Sequence, residues 1–165
     1  MPPLLGLDFD AIRTTWFFEW FHLQPMESEQ PGAGRLVRFL PRGGAFRDVV
    51  ALDVQVSPEG RVKVLALGLD RRFVDDPVDG RWAREIAEGF LRAAVPGPPD
   101  EVWALAEEIG QGGDAPREPG DAVLAFMGRL AEADLVTESA RITLRNLQVE
   151  GEGWLIITAT AAGLP

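Results

Sequence analysis

The sequence predicts a single α+β domain, a largely antiparallel sheet of about five to six strands with about three helices packed on one face. Three observations lead there. Two stretches alternate apolar and polar residues on either side of turn residues, as hairpins do. Between them lie three stretches whose apolar residues recur three and four apart, as in amphipathic helices. The order is strands, then helices, then strands, which is not the regular alternation that builds a parallel sheet.

Thr14 to Leu23 reads Thr-Thr-Trp-Phe-Phe-Glu-Trp-Phe-His-Leu. Its β-branched and aromatic content favours a strand, the expectation here, although Asp8 and Asp10 before it and Pro25 after it bracket a helix equally well. Arg35 to Leu40 is a shorter strand. In Asp48 to Val56 the residues Val50, Leu52, Val54 and Val56 share one face and Asp53 and Gln55 the other. Ser57-Pro58-Glu59-Gly60 is turn chemistry, and Arg61 to Leu69 returns with Leu65, Leu67 and Leu69 on one side.

Asp79 is positioned to cap a helix from about Gly80 to Ala94, with Trp82, Ala83, Ile86, Ala87, Phe90 and Leu91 as its apolar stripe. Pro96 to Pro99 stops it. A second helix begins at Pro99 or Asp100 and ends at Gly110, Gly112 and Gly113, and a third spans about Asp121 to Ala133. Ala140 to Val149 and Trp154 to Ala161 form a second hairpin. Ile142 and Leu144 share a parity that Leu147 and Val149 do not, which predicts a bulge near Asn146. The polar, Gly/Pro-rich stretch from about 110 to 120 is expected to be the most mobile loop.

Composition narrows the function. The 165 residues include no Cys, no Tyr, one His (His22), one Lys (Lys63), one Asn (Asn146) and three Ser. These side chains carry most acid–base, nucleophilic and metal chemistry at neutral pH, so few familiar active sites can be assembled. A net charge of −10 repels phosphate backbones, which argues against a nucleic-acid partner. The excess is local: Pro96 to Pro165 holds twelve acids against four arginines, whereas Arg35 to Arg92 is close to balance. The single Lys beside fifteen Arg hints at a GC-rich bacterial genome. The N-terminal stretch lacks a basic segment with a small-residue cleavage site, and no uncharged stretch is long enough to span a bilayer, so a cytoplasmic protein without membrane attachment is expected.

Two clusters are candidates for function. The block Trp16, Phe17, Phe18, Trp20 and Phe21 holds more rings than one edge element can bury in its own core, so some are expected at a homodimer or protein-partner interface. Glu19 and His22 in the same segment would form an acid–base or metal pair on a helix, yet one His without Cys supplies too few ligands for a transition metal. The second cluster, residues 70 to 80, carries Arg71, Arg72, Asp75, Asp76 and Asp79. Oxygen-rich loops hold Mg²⁺ or Ca²⁺, but Pro77 interrupts the alternating ligand rhythm, and a helix cap with surface ion pairs accounts for the same residues. No glycine-rich phosphate loop occurs.

Together these readings favour a non-catalytic cytoplasmic binding module, homodimeric, engaging a protein partner through aromatic surface and using no cofactor or metal. The alternatives are a divalent-cation enzyme built on Asp75, Asp76 and Asp79, and a small-molecule-binding domain with an aromatic pocket. In size, acidity and helix-sheet layout the chain resembles the small acidic dimeric chaperones of type III secretion. That resemblance implies protein binding without chemistry and carries over no particular residue.

Overall fold

The computed structural model describes residues 3–26, 35–44, 46–112 and 118–162. Of the loop expected to be mobile, residues 113–117 lie outside the described residues. A 3₁₀ turn, Phe9–Thr14, leads into α1 (Trp16–Trp20) and then β1 (Leu23–Pro25), β2 (Arg35–Pro41), β3 (Val50–Val56) and β4 (Val62–Asp70). Four helices follow, α2 (Arg71–Asp75), α3 (Gly80–Ala94), α4 (Asp100–Gly110) and α5 (Asp121–Phe126), before β5 (Glu132–Val136), β6 (Ala140–Val149) and β7 (Glu152–Ala161). The strands form one antiparallel sheet of seven in the order β1-β2-β3-β4-β7-β6-β5. The chain is thus a single α+β domain in which two meanders meet where β4 pairs with β7.

Alternation decides which face is covered. Val37, Phe39, Leu52, Val54, Leu65, Leu67, Leu155, Ile157, Ile142 and Leu144 are all buried toward the helices. They meet Ala83, Ile86, Phe90 and Leu91 of α3 and Val102, Leu105 and Ile109 of α4 in one core. Burying a Leu, Ile or Phe contributes roughly 1.5–3 kcal/mol each, so this layer is the main source of stability. The opposite face carries Arg38, Asp53, Ala66, Thr158, Thr143 and Asp134 in one continuous row across β2 to β5.

The strand expected at Thr14 to Leu23 is instead the short helix α1 followed by β1. Helical spacing buries Phe17, Phe18 and Phe21 together, which a period of two cannot do, and this tertiary gain overrides β propensity. The third helix stops at Phe126 rather than at Ala133. Gly128 takes φ +76°, and the N–H of Arg129 donates to the Leu124 carbonyl at 2.8 Å, closing the helix in a left-handed turn. The chain then forms β5, the strand whose alternation of Glu132, Ala133, Asp134, Leu135 and Val136 brings the sheet to seven.

The bulge expected near Asn146 is absent, because β6 pairs with β7 in unbroken register from Ala140↔Ala161 to Val149↔Glu152. Leu147 and Val149 lie on the uncovered face, 44% and 49% exposed, which explains their change of parity. Asn146 points to the helix layer, where its amide donates to the Ala125 and Leu130 carbonyls, each at 2.8 Å. Glu150 and Gly151, at φ +52° and +85°, close this hairpin as a two-residue turn of the kind that matches strand twist.

Candidate functional site

On the helix-covered side, exposed Trp rings meet at an aromatic corner formed by α1, the start of α3 and the segment after β2. In α1, Trp16 and Trp20 are four residues apart and their rings are 6.0 Å apart. Phe17, Phe18 and Phe21 are core residues, 0%, 2% and 8% exposed, so three of the five rings in the block face inward. The ring series continues outward, with Trp20 to Phe21 at 5.8 Å, Phe21 to Phe46 at 5.9 Å and Phe46 to Trp82 at 6.1 Å. Tilted pairs at these separations add roughly 0.5–1.5 kcal/mol each beyond area burial and hold the rings in place.

This series ends in a cleft of about 190 Å³ lined by Trp20, Phe21, His22, Pro41, Arg42, Gly43, Phe46, Trp82 and Ile86. Trp20 and Trp82 are 44% and 40% exposed. Trp82 was expected on the inward stripe of its helix but sits at its margin. Among the described residues no carboxylate lines the cleft, and Arg42 brings a guanidinium to it.

His22 shapes this corner through its backbone. It holds φ +49°, a conformation rare outside glycine and asparagine, and its carbonyl accepts from the Arg42 N–H at 2.9 Å. Its own N–H donates to the Glu19 carbonyl at 3.3 Å. Both side chains are exposed, and no side-chain hydrogen bond joins Glu19 to His22 among the described residues. The acid–base pair the segment could have formed is therefore not assembled.

The junction residues form caps and ion pairs. Asp70, 1% exposed, accepts from the Arg72 N–H at 2.8 Å as the N-cap of α2 and from the Arg72 guanidinium at 2.7 Å. These bonds to Arg72, the guanidinium first, hold its carboxyl below the usual range against the opposing effect of burial. Arg72 also reaches Glu152 at 3.1 Å. Arg71 pairs with Asp75 and donates to the Phe126 carbonyl at 2.8 Å and Asn146 Oδ1 at 3.3 Å, tying α2 to α5 and β6.

Asp79 takes the N-cap position of α3 without a side-chain cap bond, and Asp76 instead holds the turn that leads into the helix. The Asp76 carboxylate accepts from the N–H groups of Val78 and Asp79, each at 2.8 Å, while the Asp79 side chain makes no cap bond. Pro77 follows Asp76 directly, in the turn that precedes α3. The two N–H bonds, Asp79 first, lower the Asp76 carboxyl. Asp75, Asp76 and Asp79 thus face an arginine, a pair of backbone donors and solvent. Among the described residues no group of three or more His, Cys, Asp or Glu could hold a metal ion, and no helix is long and apolar enough to cross a membrane.

Sequence reasoning reached Trp16, Trp20, Phe21 and His22 of this corner and missed Arg42, Phe46 and Trp82 as parts of it. Aromatic density marks the first group. The second comes from residues far apart in sequence, and only the fold brings them together.

No protein-family model, curated protein or solved structure matches this chain. Its class rests on the fold itself, an α+β domain with an open seven-stranded antiparallel sheet and an aromatic corner on the helix layer.

Proposed function

We propose that this chain is a non-catalytic binding module whose aromatic corner takes up a large apolar side chain of a protein partner next to an acidic residue. The observation that carries this reading is the cleft between Trp20 and Trp82, apolar on its walls, cationic at Arg42 and lined by no carboxylate among the described residues. Exposed Trp rings backed by a rigid series of Phe rings supply contact area at low entropic cost, the pattern of interface anchors. Arg42 beside the rings favours an anionic neighbour on the incoming segment.

The test is a peptide-display selection against the purified chain. It should enrich segments pairing a large apolar residue with Asp or Glu. Trp20→Ala and Trp82→Ala should each weaken an enriched peptide at least about tenfold, as loss of an interface anchor does, while the chain stays folded with a lowered thermal midpoint. A selection that returns no binder, or binders indifferent to both substitutions, overturns the proposal.

A further inference from the structure

We propose that the uncovered face of the sheet is the surface on which two copies of this chain pair. The described helices all pack on the other face, and this one presents Trp154 and Ile156 of β7 beside the small residues Ala51, Ala66 and Gly68. Trp154, Ile156 and these small residues line a concavity of about 310 Å³, with Arg38, Asp53, Val149, Glu150 and Glu152 around it. Gly68 lies under these two side chains, where a Cβ would be in ordinary contact with Ile156 at 3.4 Å and the Trp154 ring at 3.6 Å. Val136, Leu147 and Val149 extend the same face and are 68%, 44% and 49% exposed. An antiparallel sheet with one solvated face normally shows polar residues there, so this apolar content calls for a cover.

Charge selects the occupant. The charged side chains in the body of this face are already paired across strands, Arg38 with Asp53 at 2.7 Å, Arg141 with Asp134 at 2.8 Å and Arg145 with Glu132 at 3.0 Å. The body of the face is therefore balanced on a chain of net charge −10, and Glu150 and Glu152 border the concavity at its rim, with Glu152 paired to Arg72 at 3.1 Å. Its uncharged centre of Ala66 and Thr158 is bracketed by an ion pair on each side, β2–β3 and β5–β6. A twofold axis through that centre sets paired charge over paired charge, so a second copy meets no repulsion here.

The size is adequate. Seven strands about 4.8 Å apart, the central ones seven to ten residues long, give a plane of roughly 700 Å². A standard interface buries about 800 Å² per partner. Two such sheets pack about 10 Å apart with interdigitated side chains.

Sedimentation equilibrium at about 10 μM should give twice the 18.0 kDa monomer mass. Ile156→Glu and Leu147→Glu should each weaken pairing at least about tenfold, since each buries an unpaired charge. Leu147 is exposed in the monomer, so its variant reads pairing even if Ile156→Glu fails to fold. The chain lacks cysteine, so Thr158→Cys supplies a single thiol at the centre of the face and Glu101→Cys one on the helix layer. A thiol crosslinker of about 10 Å should join two copies through Cys at 158 and not at 101. A monomer at this concentration, or a dimer unchanged by both glutamates and crosslinked only from position 101, overturns the proposal. Trp20→Ala should leave the dimer intact, which separates this result from the fate of the aromatic corner.

Discussion

Gly80 illustrates how closely single side chains are constrained where α2 turns into α3. A Cβ at this position would approach the Val74 carbonyl oxygen to 2.6 Å, and a backbone oxygen cannot retreat without moving the junction. Gly80→Ala is expected to destabilise the fold by about 1–3 kcal/mol, read from the urea unfolding midpoint. Gly110→Ala provides the contrast. Its Cβ would meet only the Glu88 carboxylate, the far end of a flexible side chain, so the loss should be clearly smaller. An equal loss at both positions would contradict this account of the junction. Gly80 was legible in the sequence as a helix start, but its contact with Val74 depends on α2, which composition did not reveal as a helix.

Between neighbouring elements, caps and cross-strand pairs make stability depend on pH in one direction. Asp70, Asp76 and Asp134 all have carboxyls held below their ordinary values, by Arg72, by the Asp79 and Val78 N–H groups, and by Arg141 with Thr143. A depressed carboxyl stabilises the folded state fully above its unfolded value, about 3.9 for Asp, and loses that contribution as pH falls through the lower folded value. The urea midpoint should therefore be insensitive to these groups above about pH 5 and fall below about pH 4. Asp70→Asn should lower the midpoint at pH 7 and make the acid fall shallower. An acid profile identical to that of the unaltered chain would remove Asp70 from this explanation.

The same elements show what period and propensity reveal. Both long hairpins and helices α3 and α4 were readable, because each buries one face over seven or more residues. Short elements were not. In α1, four aromatic residues of high β propensity become helical because Phe17, Phe18 and, just after the helix, Phe21 reach the core together only in that form. In β5, alternation was hidden behind a helical run that Gly128 terminates with a positive φ.

For the molecule as a whole, the α+β class followed from the order of segments, whereas the division of its surfaces followed from the fold. The aromatic block divided into buried Phe rings and an exposed Trp edge that joins Phe46 and Trp82. The apolar patch on the uncovered face of the sheet was invisible as a surface, because its residues are spread over strands from Ala51 to Ile156. Five tryptophans sample these regions: Trp16 and Trp20 in α1, Trp82 in α3, Trp103 in α4 and Trp154 in β7. Their indole N–H resonances are therefore separate reporters, and the deciding measurement is an NMR titration of the chain with a peptide from the display selection. Binding at the aromatic corner predicts that the Trp20 and Trp82 signals move with one saturating curve while Trp103 and Trp154 stay in place. Saturating shifts confined to Trp103 or Trp154, with Trp20 and Trp82 unmoved, would contradict the assignment of this corner as the binding site.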